Sequence, residues 1–255
     1  MECLVAYDTS VGRKKENNED SLLIKVANTV LGEVTFSVVC DGMGGLDRGE
    51  LASKEMILAL SDWFHQEFPK LLQIGFSKEN LYQQWNQVAQ KVNSMLFEYG
   101  IVNRVCLGTT VTALLLAKNK YYIMHVGDTR VYCFRNKALQ ITQDHSFVQY
   151  EIANGRLTVE EARQHPKRNV LLQAIGTDKT VAVDFLDGTA KSGDLFLLCS
   201  DGFRNEVYEE EMLKVFKSNR CCEETELYQC VHSLLEENMK RLENDNITAI
   251  AIKIK

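Results

Sequence analysis

Four short apolar runs between residues 110 and 141 constrain the fold of this chain more than any other feature. The runs occupy residues 110–117, 121–126, 129–134 and 138–141. Connections of only two or three residues join them. Connections this short join antiparallel strands, because a parallel crossover needs a dozen residues or more. The stretch therefore predicts an antiparallel meander.

Helical patterns flank the meander on both sides. Apolar residues recur at helical spacing over residues 78–99 and 223–242. Asp47 and Glu50 have the spacing of a capping box, which predicts a third helix starting near Arg48. All three patterns are long enough to cover one face of a sheet.

Strand-like runs elsewhere in the chain occur in blocks, and the long helical patterns lie between the blocks. This order favours an α+β fold of antiparallel sheets covered by helices over a parallel, doubly wound one. The further predicted strands lie at residues 3–8, 21–27, 30–40, 181–186, 195–199 and 247–254.

Residues 142–180 follow neither pattern. The segment is polar and carries one short predicted helix, which Thr158 and Glu161 would cap. A connection of this length without regular strands is uncommon in a compact domain, and such connections are usually functional.

Composition excludes several classes of function. The chain has 255 residues with a formal net charge of −6 and no basic block, which argues against nucleic acid as a partner. No apolar run approaches the ~18 residues of a membrane span. The N-terminus lacks the pattern of a secretion signal, and none of the eight cysteines forms a C-x-x-C pair. We therefore expect a cytoplasmic protein with reduced thiols.

Five aspartates stand where predicted strands begin, end or turn. If neighbouring strands alternate in direction, these carboxylates meet at one edge of the sheets. A cluster of oxygen ligands without His or Cys suits Mg²⁺ or Mn²⁺, and two such ions can clamp a phosphoryl group and activate water. The alternative is that each aspartate forms a turn or caps a helix, which is competitive for one residue and weak for all five. The five are Asp20, Asp41, Asp128, Asp201 and Asp245.

Seven motifs, five of which contain one of these aspartates, resemble, in order, those of the PPM family. These enzymes are the metal-dependent Ser/Thr protein phosphatases of type 2C, and the match is to the compact bacterial members over nearly the whole chain. The motifs are Asn18-Glu19-Asp20, Asp41-Gly42-Met43-Gly44-Gly45, Gly108-Thr109-Thr110, Gly127-Asp128-x-Arg130, Asp144-His145-Ser146, Ser200-Asp201-Gly202 and Asp245-Asn246-Ile247-Thr248.

The resemblance implies a single domain over residues 1–255, built as a four-layer αββα sandwich of two stacked antiparallel sheets flanked by helices. It implies a flap over residues 143–176. The activity implied is hydrolysis of phosphoserine and phosphothreonine by metal-activated water at a binuclear Mn²⁺ or Mg²⁺ centre. Implied partners are phosphorylated proteins and, from bacterial relatives, a Ser/Thr kinase, and we expect a monomer.

The resemblance also implies roles for individual residues. The catalytic set would be Asp20, Asp41, Asp201 and Asp245. Asp41 and the Gly42 carbonyl would contact both core ions. A third, weaker ion would bind to Asp128 together with Asp201. The full set of implied metal ligands is Glu19, Asp20, Asp41, Gly42, Asp128, Asp201 and Asp245.

Two positions depart from the family pattern. Lys15 stands where the family usually has a phosphate-binding arginine, and Arg13 lies two residues earlier. Met43 replaces the histidine of eukaryotic members. Lys15 is the one feature that favours an alternative function, a weakly active or inactive phosphoprotein-binding regulator. An enzyme acting on small phosphorylated metabolites is a third interpretation.

Overall fold

The computed structural model describes residues 1–44, 48–217 and 221–255. Within these residues the chain forms strands and helices in blocks, as the sequence predicts. The strands are β1 Cys3–Ser10, β2 Asp20–Thr29, β3 Gly32–Gly44, β4 Leu107–Thr109, β5 Val111–Ala117, β6 Lys120–Val126, β7 Arg130–Phe134, β8 Ala138–Gln140, β9 Asp184–Thr189, β10 Leu195–Cys199 and β11 Ile247–Ile254. The helices are α1 Gly49–Gln66, α2 Phe68–Ile74, α3 Lys78–Asn103, α4 Phe147–Ala153, α5 Val159–Arg163, α6 Asp201–Arg204, α7 Glu209–Lys217 and α8 Glu224–Lys240.

Two antiparallel sheets form the centre of the molecule. One has the strand order β1-β11-β10-β7-β8, and the other has the order β2-β3-β5-β6-β9 with β4 paired to β3. The meander predicted over residues 110–141 is therefore divided: β5 and β6 pair in one sheet, while β7 and β8 pair in the other. Every pairing between strands in the described residues is antiparallel, as predicted.

Three apolar layers hold the sheets and helices together. Side chains of α1 and α3 pack on the outer face of the β3 sheet, and those of α7 and α8 pack on the outer face of the β11 sheet. Residues from both sheets meet in the third layer between them. The αββα prediction is confirmed. Because α1 and α3 cover one face of β5 and the other sheet covers its second face, all seven β5 residues are buried.

Differences from the sequence predictions concern segment ends and short helices. The strand predicted at 181–186 instead begins at Asp184. Val181 lies in the core beside α3, where Gln90 Nε2 donates to its carbonyl oxygen at 2.8 Å, so a side chain replaces strand pairing there. The polar segment carries two helices, α4 and α5, and the capping box of Thr158 and Glu161 is confirmed. The capping residue proposed for α1, Asp47, lies outside the described residues.

No helix in the described ranges is both long enough and apolar enough to cross a membrane.

Candidate active site

Asp20 and Asp41 face each other across two neighbouring strands. They form a directly opposed pair in the β2–β3 register, because the hairpin between these strands is continuous from Thr29 and Gly32 to this end. Backbone contacts hold Asp41 in place: its amide donates to Thr110 Oγ1 and its carbonyl accepts from the Thr110 amide, both at 2.9 Å. The Asp41 carboxylate is therefore presented by a rigid backbone.

The glycine after Asp41 marks a close approach between backbones. β3 continues through Gly44 rather than turning at residue 42. A Cβ on Gly42 would lie 2.2 Å from the Gly49 carbonyl oxygen and 2.6 Å from that of Glu19. Only glycine fits, which brings the start of α1 and the Glu19 loop against the strand end.

The other carboxylates reach the same place from the second sheet. Asp201 follows β10, and Asp245 precedes β11. Four of the five predicted aspartates line one small cavity of about 190 Å³, and Asp20 is the register partner of Asp41 on the neighbouring strand. The residues lining this cavity are Lys15, Glu19, Asp41, Gly42, Met43, Thr110, Asp128, Asn169, Leu171, Asp201 and Asp245.

Asn246 ties together the loops that carry these side chains. Its Oδ1 accepts from the Glu19 amide at 2.8 Å, and its Nδ2 donates to the carbonyls of Val11 at 2.8 Å and Asn17 at 3.0 Å. Sequence reasoning placed Asn246 in a motif without giving it a role. Its contacts lie more than two hundred residues away in the chain, and residue spacing carries no signal for them.

Burial and mutual repulsion disfavour the charged forms of these carboxylates. Burial, followed by the charges of Asp201 and Asp245, raises the pKa of Asp20 to about 7, although the Ser200 hydroxyl donates to its Oδ2 at 2.9 Å. Burial and then Asp20 raise the pKa of Asp41 well above its usual value. Burial also raises the pKa of Asp201. Bound cations would remove this repulsion.

The donor chemistry fits hard divalent cations. Every ionisable side chain proposed as a ligand is a carboxylate, and the buried Oδ1 atoms of Asp20 and Asp201 have no hydrogen-bond partner in the described part of the chain. Within residues 1–44, 48–217 and 221–255, no group of three Asp, Glu, His or Cys side chains is arranged to hold an ion without side-chain movement. Carboxylate rotation would therefore accompany ion binding.

Comparison with known proteins identifies the family. A sequence model described as protein phosphatase 2C matches residues 9–242. The chain belongs to the protein phosphatase 2C family. It is 36% identical to the serine/threonine phosphatase Stp of Listeria monocytogenes over 221 residues, which cover 86% of this chain and 84% of that protein. It is 31% identical to PstP of Mycobacterium tuberculosis over 246 residues, which cover 95% of this chain and 43% of that protein.

Solved structures agree with this assignment. The serine/threonine phosphatase of S. agalactiae superimposes with a TM-score of 0.87 at 26% identity, covering all of both chains. The catalytic domain of PstP, solved with two manganese ions, gives a TM-score of 0.81 at 29% identity and covers 99% of both chains. This chain is thus a protein serine/threonine phosphatase, a metal-dependent phosphoric monoester hydrolase.

Lys15 and Arg13 differ in their position relative to the phosphatase cavity. Lys15 Nζ lies 3.0 Å from Glu19 Oε2 and 3.1 Å from Asp245 Oδ1, inside the carboxylate cluster. Partial burial opposes its charge, but Glu19 and Asp245 raise the pKa of Lys15 above its usual value. Arg13 is exposed and does not line this cavity.

Asp128 joins the phosphatase site with a guanidinium partner that sequence reasoning missed. Arg204 Nη2 lies 3.3 Å from Asp128 Oδ2, and a neighbouring guanidinium, Arg130, forms a bidentate pair with Asp144 at 2.8 Å. Burial and then Asp201 raise the pKa of Asp128 to about 7. Burial opposes the charge of Asp144, but Arg130 and Arg204 bring the pKa of Asp144 below its usual value.

The predicted flap borders the phosphatase site. Asn169 and Leu171 line the small cavity, while α4 and α5 form one wall of an adjoining cavity of about 370 Å³ that shares Asp128 and Asp201 with it. His145 anchors the start of the segment. Its amide donates to the Gly127 carbonyl at 2.7 Å, and its Nδ1 accepts from the Gly127 amide at 3.2 Å. His145 has the structural hydrogen-bonding role expected of a loop histidine.

Proposed function

We propose that this phosphatase holds two divalent ions, Mn²⁺ or Mg²⁺, in the carboxylate cavity. Asp41, with the Gly42 carbonyl, would contact both ions. Asp20 and Glu19 would support one ion, and Asp201 and Asp245 the other. The observation that supports this proposal is the convergence of carboxylates from both sheets, with two buried oxygen atoms lacking any hydrogen bond in the described residues. The two manganese ions of the PstP structure point the same way.

The ions, when bound, would supply an activated water and neutralise charge on the phosphoryl group. The chain's own residues would position the reactants. Hydrogen bonds to the Asp41 backbone would hold its carboxylate at the cavity, and Asn246 would hold the Glu19 loop. Met43 lines the cavity but has no transferable proton, so the proton for the leaving serine or threonine oxygen would come from water.

Peptide hydrolysis tests this function. We expect phosphoserine and phosphothreonine peptides to be hydrolysed with Mn²⁺ or Mg²⁺, and the activity to disappear with chelator and return on adding metal. Phosphotyrosine peptides and small phosphorylated metabolites serve as comparison substrates. Full activity in chelator, or a preference for phosphorylated metabolites over the peptides, would contradict the proposal.

We propose that the phosphatase forms a single domain over residues 1–255 and uses residues 143–176 as a flap. Phosphorylated proteins are its substrates. A cognate Ser/Thr kinase, a monomeric state and a cytoplasmic location stay predictions. A third, weaker ion at Asp128 and Asp201 is likewise a proposal.

Lys15 would bind the substrate phosphate. The ammonium already lies in the cavity between Glu19 and Asp245, and ion binding to these carboxylates would release it toward the phosphate. A charge-assisted hydrogen bond of about 1.5–3 kcal/mol would be lost in Lys15→Ala, so we expect the KM for a phosphothreonine peptide to rise by roughly tenfold or more. Lys15→Arg should lower KM more than it raises kcat, because a guanidinium binds phosphate through two nitrogens.

Arg13→Ala is the matched control for this prediction. Arg13 is exposed and lies outside the cavity lining, so its removal should leave KM close to the wild-type value. A large KM increase in Arg13→Ala, with little change in Lys15→Ala, would assign the phosphate contact to Arg13.

The flap would select among protein substrates. The turn between α4 and α5, residues 154–157, is exposed except for the half-buried Leu157 and lies beyond the helices that wall the larger cavity. Replacing these four residues with a Gly-Ser linker should change the ratio of kcat/KM values between different phosphopeptides. Hydrolysis of a small aryl phosphate, which reaches only the carboxylate cavity, should change little. Equal effects on both kinds of substrate would count against a selective flap.

A further inference from the structure

Arg204 contacts two oxygen atoms of Asp128, the carbonyl oxygen and Oδ2, that could bind a cation. Its Nη2 donates to the Asp128 carbonyl at 3.1 Å and lies 3.3 Å from Asp128 Oδ2. The side chain is 14% exposed. Arg204 is the last residue of α6, the helix that begins with Asp201, so α6 brings a carboxylate and a guanidinium to the same place. A buried positive charge therefore lies at the position proposed for the third ion.

The neighbouring Arg130 makes shorter hydrogen bonds than Arg204 and uses three of its nitrogen atoms to make them. Its Nε and Nη2 each donate to Asp144 at 2.8 Å, and its Nη1 donates to Tyr132 Oη at 2.7 Å. Arg130 therefore neutralises Asp144. Arg204 lies 3.5 Å from Asp144 and closer to Asp128, so its charge acts on both carboxylates.

Arg204 is held in a way that allows its displacement. Its hydrogen bonds all use Nη2, and its buried Nε has no acceptor within the described residues. A guanidinium stays charged at any working pH, so it cannot make room for a metal ion by losing a proton. A cation that binds the Asp128 carbonyl oxygen or Oδ2 would therefore have to displace Arg204.

We propose that Arg204 competes with the third divalent ion for Asp128 and thereby sets how weakly that ion binds. The inference rests on the proposed function in one respect, that Asp128 and Asp201 can act as ligands. The carboxylate and carbonyl oxygens of Asp128 are the ligand types that hard cations prefer. Arg204 thus supplies one positive charge at this position when the divalent-ion concentration is low.

Titration calorimetry with Mn²⁺ tests the competition without measuring activity. The metal-free wild type, Arg204→Gln and Arg204→Met are compared, and the two uncharged replacements guard against one of them folding poorly. We expect the two tight binding events to be unchanged and the weak event to become roughly tenfold tighter or more, the effect of removing one competing charge-assisted contact. Arg204→Lys keeps the charge and should resemble the wild type more closely than Arg204→Gln does.

A double-mutant cycle with Asp128→Asn links the effect to its partner. If Arg204 acts through Asp128, Arg204→Gln should not strengthen Mn²⁺ binding in the Asp128→Asn background. An unchanged or weakened third event in both uncharged variants, or no third event in any protein, overturns the competition. An effect that persists in Asp128→Asn overturns it as well. If the wild type shows neither of the two tight binding events, the two-ion proposal itself is refuted.

Discussion

Asp41→Asn and Asp201→Asn each reduce hydrolysis of a phosphothreonine peptide to below roughly one hundredth of the wild-type rate. Removing a group that only orients a metal ligand typically costs about 10–100-fold, and a ligand itself should cost at least as much. Asparagine has the size of aspartate but is a weaker ligand for hard cations because it carries no charge. Both side chains line the carboxylate cavity, from opposite sheets.

These variants should nevertheless fold. Each removes one of several buried like charges, so the metal-free variants should be at least as stable as the metal-free wild type at neutral pH. Asp62→Asn, on the exposed surface of α1, is the matched control and should keep full activity. Near-normal turnover by either cavity variant, measured on protein with a wild-type circular dichroism spectrum, would refute its role as a ligand.

Asn246→Asp lowers the free energy of unfolding by about 1–3 kcal/mol and weakens metal binding. The new carboxylate has no N–H to donate, so it would face the carbonyl oxygens of Val11 and Asn17 and leave both unpaired. A buried polar group left unpaired costs about 1–3 kcal/mol, and the total for both carbonyls stays within that range because Val11 and Asn17 are exposed residues. The new carboxylate could still accept from the Glu19 amide, but the loop that carries Glu19 would lose its ties at Val11 and Asn17, which would loosen Glu19 beside Asp245.

Urea unfolding measures this loss, and Asn244→Asp is the control. Asn244 is exposed, and its hydrogen bond to Glu243 is made by its backbone amide. Its substitution should therefore change stability by less than about 0.5 kcal/mol. If Asn246→Asp matches Asn244→Asp in stability and in Mn²⁺ affinity, Asn246 does not organise the site.

The parts of the fold that depend on local pattern could be predicted from the sequence. Short connections determine antiparallel pairing, and strand direction then brings the aspartates to one edge. The opposed positions of Asp20 and Asp41 follow from the same logic, because a hairpin with a short turn fixes its register. The continuous apolar run of β5 likewise predicts a strand that is buried on both faces, as the structure shows.

Features that depend on distant contacts could not be predicted. Arg204 looks like an ordinary surface residue in sequence, and only the fold places it on Asp128, 76 residues away. Asn246 holds three loop positions that no spacing rule connects to it. The predicted start of β9, at residue 181, was wrong. Gln90 of α3 donates a hydrogen bond to the Val181 carbonyl in place of a strand, and these two residues lie far apart in the chain.

Anomalous diffraction tests most directly whether the carboxylate cavity holds two ions. The data would be recorded at the manganese absorption edge from crystals of this phosphatase soaked in Mn²⁺. We expect two strong peaks in the carboxylate cavity, with Asp41 and the Gly42 carbonyl between them, Asp20 beside one ion, and Asp201 with Asp245 beside the other. Peaks confined to other surfaces, or a cavity without manganese in crystals of protein that hydrolyses phosphothreonine peptides, would contradict the two-ion proposal.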